Sequence, residues 1–447
     1  MPTFDAFLAE QHHRLIDDLK AFVAQPSVAA TGQGMIEMAA LVQQRFERIG
    51  AKVRQIPTGG APILFAEIGS VPRTLLIYNH YDVQPPDPID LWTRPPFEPS
   101  LREGKLYARG VSDDKGDLSC RLHAIEAWQQ TLGPLPLKIK WVVEGEEEIG
   151  SPHLAEFAQQ HAAMLHADGC LWETGGKNEE DRLTLTLGLK GIQYLELRTR
   201  SGERDLHSGY AAIAPSAVWR LVWALNTLKD QNDEILIEHY YDYVRAPNEA
   251  ELALLEAMPF DEARRKAALG IEQFINDEHG LDVLKRLHYG PTVTICGIQA
   301  GYTGEGMKTV LPNTAFAKID CRLVPDLTPE ICISLLRAHL DRRGFSDVEI
   351  VPLTGEYPAT SAVDAPIVAA CLAAVREVYG HDPVMVPLSG GSGPMYPLTT
   401  ALGIPTVMAG VTYPGSRAHA PDENIRLDDY FEGILFMRQL IEAFAQV

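Results

Sequence analysis

Basic residues are scarce in this chain. Its 447 residues carry 39 Lys+Arg against 60 Asp+Glu, a formal charge of −21. Nucleic acids and anionic membranes select basic surfaces, so neither is expected as a partner. Cysteine is sparse too: Cys120, Cys170, Cys296, Cys321, Cys332 and Cys371 are scattered, with no C-x-x-C pair. That usage fits reduced, mostly buried thiols and excludes a disulfide framework. No segment approaches the ~20 apolar residues of a membrane span. Residues 1–28 lack the basic stretch and apolar run of a secretory signal, and their apolar positions instead fall at helical spacing. A cytoplasmic protein is the expectation. What is present is core-forming material: 46% hydrophobic residues against 22% charged exclude disorder. The length indicates two or three domains.

The first part of the chain alternates strands and helices. Leu75–Tyr78 is an apolar run ending at Asn79-His80, a helix-like segment follows from Gly116 to Gln130, and Leu137–Val143 ends in a burst of acid. Such alternation predicts an α/β unit around a mostly parallel central sheet, whose ligand site lies beyond the carboxyl ends of the strands. From about Leu189 the order becomes strand 192–200, helix 214–228, strands 292–298 and 314–323, helix 329–342 and strand 348–353. That β-α-β-β-α-β order is a ferredoxin-like α+β unit, interrupted by a charged helical insertion at about 230–289. After Tyr357 the α/β pattern returns. The expected division is therefore 1–188 with 356–447 for the larger domain and 189–355 for the inserted one.

Several polar clusters stand at predicted strand ends. His80-Tyr81-Asp82 places His80 and Asp82 on one side of an extended chain, and an acid partner fixes the tautomer of a metal-bound histidine. In Gly110-Val111-Ser112-Asp113-Asp114-Lys115-Gly116 an aspartate either caps the following helix or bridges two cations. In Glu144-Gly145-Glu146-Glu147-Glu148 the carboxylates repel one another, so the segment is a solvated acidic turn or a cation site with one carboxylate left as a base. Glu173 closes the apolar-rich run Gly169–Trp172. His419 lies in a loop before the last helix and is, on its own, an ordinary surface residue. Together His80, Asp113, Glu148, Glu173 and His419 offer two imidazoles and three carboxylates. Nitrogen and oxygen donors without thiolate suit Zn²⁺, with Mn²⁺ or Co²⁺ as alternatives. Five ligands exceed the usual catalytic zinc and match two metals that share a carboxylate.

At this point the sequence resembles the dinuclear zinc aminoacylase and carboxypeptidase-like metallopeptidases, a family that includes carnosine-type dipeptidases and the acetylornithine and succinyl-diaminopimelate deacylases. The likeness spans nearly the whole chain. It implies that the inserted domain is a lid and dimerisation domain, and that each subunit of a homodimer holds two divalent ions. It also implies His80 as a ligand of the first metal with Asp82 orienting it, Asp113 as the bridge, and Glu147 as the general base. Glu148 and His419 would serve the second metal and Glu173 the first. Asp205-Leu206-His207-Ser208-Gly209 is similar to a segment whose histidine reaches the partner subunit's active site and stabilises the oxyanion. Arg322, in Asp320-Cys321-Arg322-Leu323-Val324-Pro325, looks like the residue that grips a substrate carboxylate. Gly391 and Ser392, in Ser389-Gly390-Gly391-Ser392-Gly393, resemble a substrate loop.

The Glu-Gly-x-Glu-Glu-x-Gly-Ser run, the Asp-Leu-His-Ser-Gly segment and the long insertion look most like the carnosine-type branch. The expected activity is hydrolysis of an amide in a dipeptide or small peptide with a free C-terminal carboxylate. The alternatives are an N-acyl-amino-acid deacylase with the same metals, a serine hydrolase suggested weakly by Gly390–Gly393, and a metal-free solute-binding or scaffold protein. The serine reading lacks the full G-x-S-x-G elbow, because Pro394 occupies its last position.

Overall fold

A computed structural model describes residues 2–447. Its two principal sheets are built from β1 (Lys52–Ile56), β2 (Ile63–Ile68), β3 (Thr74–His80), β4 (Lys138–Glu144), β5 (Gly169–Trp172), β6 (Thr184–Thr186), β7 (Gly191–Arg200), β8 (Thr292–Ala300), β9 (Thr314–Leu323), β10 (Glu349–Glu356), β11 (Val384–Val386) and β12 (Thr406–Met408). The chain divides into two compact units. One comprises Met1–Gly188, Thr360–Pro387 and Pro394–Val447, and the other Leu189–Ala359 with Leu388–Gly393.

The first unit holds an eight-stranded sheet in the order β1-β2-β4-β3-β5-β12-β6-β11. At its centre β3 runs parallel to both β4 and β5, and β12 runs parallel to β5. The β1 edge is antiparallel. Every residue of β3 is buried, which is why its sequence is a continuous apolar run without alternation: a central parallel strand is covered on both faces. The helix Lys115–Thr131 is buried on nearly all sides, packed against the helices Phe4–Ala24 and Leu427–Phe444. From it Arg121 reaches the sheet. Its guanidinium donates to the carbonyl oxygens of Tyr78, Trp172 and Ala409 and to Asn79 Oδ1, at 2.6–3.1 Å. Desolvating a guanidinium costs several kcal/mol. These four acceptors offset that cost and pin the carboxyl ends of β3, β5 and β12 together.

The second unit is a four-stranded antiparallel sheet, β8-β9-β7-β10. The helices Ala217–Leu225 and Pro329–Arg342 fall between its strands in the β-α-β-β-α-β order. Burial alternates along β9 with period two, as expected where only one face packs. Leu195, Leu197, Leu221, Ile319, Leu336 and Leu340 share the resulting core. Ser216 and Thr328 cap the two helices through backbone N–H groups of Trp219 and Ile331. The first helix is shorter than the 214–228 predicted, because Ser216 caps it and 208–212 form a separate 3₁₀ turn. The inserted stretch contains the helices Glu249–Ala257, Glu262–Leu269 and Leu281–Tyr289.

Two boundaries differ from the expected division: the second unit runs to Ala359 rather than to 355, and it gains a short later segment. Leu388–Gly393, read from the sequence as part of the larger domain, belongs to the second unit. The Lys190 N–H donates to Gly391 O (3.0 Å), the Ser392 hydroxyl to Gly191 O (3.0 Å), and the His288 ring to Leu388 O (2.5 Å). These bonds join segments one hundred to two hundred residues apart, beyond the reach of any local pattern. Among the described residues no helix is long and apolar enough to cross a membrane. All six cysteines are free; five are buried and Cys296 is exposed.

Candidate dinuclear metal centre

Three parallel strands deliver the first groups. β3 ends at His80, whose register partner on β4 is Glu144. The chain leaving β4 turns through a 3₁₀ segment that carries Glu147 and Glu148, and Glu173 directly follows β5. The strand ends therefore place an imidazole and three carboxylates at one sheet edge, where open α/β sheets bind ligands.

Asp113 joins the groups. Its Oδ1 lies 2.9 Å from His80 Nε2, and its Oδ2 lies 3.1 Å from His419 Nε2. His80 Nε2 is also 3.7 Å from Glu173 Oε2, and His419 Nε2 is 3.2 Å from Glu148 Oε2. One carboxylate thus offers an oxygen to each of two poles: His80 with Glu173, and His419 with Glu148. The other ring nitrogen of His80 faces the Asp82 backbone carbonyl at 3.1 Å and the Asp82 carboxylate at 3.3 Å. The second Asp82 oxygen accepts from the Glu148 N–H at 2.9 Å, so Asp82 touches a member of each pole.

The donor set fits divalent cations. Glu173 Oε2 and Asp114 Oδ1 are buried with no hydrogen-bond partner, which is costly unless a cation or water satisfies them. Burial and neighbouring carboxylates push Glu147 and Glu173 well above the usual carboxylate range. Hydrogen bonds to Asp113 and Glu148 push His419 up to about 10, so protons on the imidazoles carry the positive charge that cations would bring. His80, Asp113 and Glu148 form one group able to hold an ion, and His80, Asp114 and Glu173 form another.

All five sequence-selected ligand candidates, with Asp82 and Glu147 beside them, lie in the first unit. His207, Arg322, Gly391 and Ser392 lie in the second. There, Arg322 Nη1 donates to Ser392 Oγ (2.9 Å), and Ser392 Oγ donates to Gly191 O. With its hydroxyl engaged by a guanidinium and a carbonyl and no general base on it, Ser392 is not an activated nucleophile, and the serine-hydrolase reading falls. His207 is exposed, its Nδ1 accepting from the Gly209 N–H at 3.0 Å.

Sequence reasoning passed over three contributors. Asp114 anchors β3, its Oδ2 accepting from Asn79 Nδ2 (2.5 Å) and the His80 N–H (3.1 Å). Gln84 Nε2 donates to Glu148 Oε2 at 2.9 Å. Glu423 is fully buried beneath the Asp113 loop. The acidity of Asp114 and Glu423 was visible; their orientation was not.

Comparison with known proteins gives the family. Residues 76–443 match peptidase family M20/M25/M40, and the chain belongs to that family. It is therefore a metallopeptidase by family, with a candidate dinuclear site. It is similar to the M20 family metallo-carboxypeptidase Sso-CP2 from Sulfolobus solfataricus, whose crystal structure superposes with a TM-score of 0.92 at 37% identity, covering 97% of this chain and 99% of that one. It is 28% identical to the Beta-Ala-His dipeptidase of Homo sapiens, over 94% of this chain and 87% of that protein. It is 27% identical to the Cys-Gly metallodipeptidase dug1 of Schizosaccharomyces pombe, over 96% and 95%.

Proposed function

We propose that this chain hydrolyses the peptide bond of dipeptides and short peptides with a free C-terminal carboxylate, using two divalent cations held by His80, Asp113, Glu148, Glu173 and His419. The observation that carries the reading is the Asp113 carboxylate, with one oxygen in each of two histidine–glutamate poles. The relatives support it: two are dipeptidases by name and one is a carboxypeptidase, and each activity cuts next to a free carboxyl terminus. They do not favour the N-acyl-amino-acid deacylase alternative, and family membership sets aside the non-enzyme reading. Zinc is the proposed metal, with manganese and cobalt as alternatives, because the donors are nitrogen and oxygen only.

When bound, the cations supply Lewis acidity at the scissile carbonyl and lower the pKa of water at the site. The remaining work falls to side chains. Glu147 takes a proton from the attacking water and returns it to the leaving amine nitrogen. Its partial burial suits that exchange, since desolvation raises a carboxylate's proton affinity. Asp82 fixes the His80 ring through Nδ1. Arg322, held by Ser392, presents its remaining N–H donors to the substrate carboxylate, where a planar fork fits two oxygens. Gly391 lies in the same loop, its carbonyl fixed by Lys190. In a homodimer the partner subunit's His207 donates to the developing oxyanion.

Glu147→Gln tests the assignment. It should keep two zinc ions per chain while kcat on a dipeptide panel falls about 10²–10⁴-fold. Near-normal turnover at full metal content would remove Glu147 from the role of base.

A further inference from the structure

His419 sits on a loop whose conformation the sequence does not favour. Arg417, His419 and Asp422 all have positive φ, at 58°, 60° and 59°. Non-glycine residues take that region at a cost, and such strain persists only where surrounding structure enforces it. The loop is laced internally: the Asn424 side chain donates to Gly415 O and Asp422 O, and accepts from Tyr413 OH at 2.6 Å. It leads into a short strand, Asn424–Arg426, antiparallel to Lys105–Tyr107. Residues 108–113, which carry Asp113, continue from that second strand. The His419 and Asp113 loops are thus joined at adjacent strand ends.

Glu423 stands at the junction. Its Oε1 accepts from the Ser112 N–H (2.8 Å), the Ser112 hydroxyl (2.9 Å) and the Asp113 N–H (3.1 Å). Its Oε2 accepts from Arg109 Nη1 (2.6 Å) and the Gly110 N–H (2.9 Å). Its backbone carbonyl accepts from the Ala108 N–H at 3.1 Å. Glu423 and Arg109 are both fully buried, so this charge pair has no water to relax into. Five side-chain bonds are more than a buried carboxylate needs for its own satisfaction. All five go to the turn that aims Asp113.

We propose that Glu423 is a positioning residue that locks the Asp113 turn to the His419 loop and thereby sets the two cation poles together. The inference rests on the two-cation reading above. It adds that the spacing of the poles is set by a buried carboxylate that touches neither cation nor substrate. Loss of Glu423 should weaken both bound ions at once and lower kcat more than it changes KM, since Arg322 and the substrate carboxylate contact are untouched.

Glu423→Gln keeps the size of the side chain but turns an NH₂ toward one group of donors. Zinc affinity of the metal-free full-length chain is read by chelator competition, alongside its melting temperature and the zinc-saturated kcat and KM. The expected result is at least a fivefold loss of affinity at both equivalents, a kcat loss exceeding the KM change, and recovery by Glu423→Asp smaller than twofold, because the shorter arm cannot span both donor groups. Ser112→Ala serves if Glu423→Gln does not fold. It removes a single donor and should weaken both equivalents about twofold. Affinity and saturated kcat unchanged in a folded variant, with only the melting temperature lowered, would overturn the proposal. His80→Ala is the control: if it leaves zinc affinity intact, the two-cation reading itself has failed, whatever Glu423 does.

Discussion

The two poles of the centre are built from different material. His80 and Glu173 sit at the ends of central parallel strands, and the His80 side chain is 1% exposed. His419 comes from a loop and is 52% exposed. Strand ends are fixed by the sheet, by Asp114 beneath His80 and by Arg121 across three strand termini, so the first pole exists once the core has formed. The second pole depends on a strained loop and its lacing. A scaffold-borne ligand is positioned by packing that exists for other reasons, whereas a loop-borne ligand needs dedicated supports.

Three experiments press on that contrast. The largest effect is expected from His80→Ala. It removes a fully buried ligand that also meets Asp113, and should cost more than the roughly 10–100-fold in metal affinity that follows loss of groups merely orienting a ligand. Competition titration with zinc checks it, and a loss below tenfold would equalise the poles. His419→Ala should cost less, about 10–100-fold, and chiefly at one of the two equivalents, because water can reach its place. A biphasic titration is the expected signature. The smallest effect comes from pH. In the metal-free chain His419 is raised to about 10 by Asp113 and Glu148, so at neutral pH its imidazole is protonated and zinc must displace that proton. Affinity should therefore fall as pH drops, by up to about tenfold per unit for each proton released. Calorimetry in buffers of different ionisation enthalpy counts the protons, and His419→Ala should release one fewer.

Much of this was legible in one dimension. β3 is buried on both faces and so reads as an unbroken apolar run. β9 is buried on one face and so alternates. Thr328-Pro329 announces the start of its helix by cap chemistry. His80, Glu148 and Glu173 stood at or just past strand ends, where an apolar run gives way to polar residues, whereas Asp113 and His419 lay in loops. Other features left no such trace. Leu388–Gly393 joins the second unit through hydrogen bonds to 190–191 and His288, and Gln84 meets Glu148 from 64 residues away. Both are long-range pairings with no periodicity of their own.

The sequence by itself determined the elements, their order and the stock of nitrogen and oxygen donors, because local propensity and burial pattern are written residue by residue. It also carried the family resemblance, because those donors and the motifs around them stand along the chain in an order similar to that family's. The resemblance implied Asp113 as the bridge; only the tertiary structure showed that it turns an oxygen to each histidine while Asp114 anchors β3 from below. It alone decided that Glu423, one more acid in an acidic chain, lies buried under five donors. Those outcomes depend on where chain segments from 33 to more than three hundred residues apart come to rest, and a carboxylate's role is set by the donors that surround it.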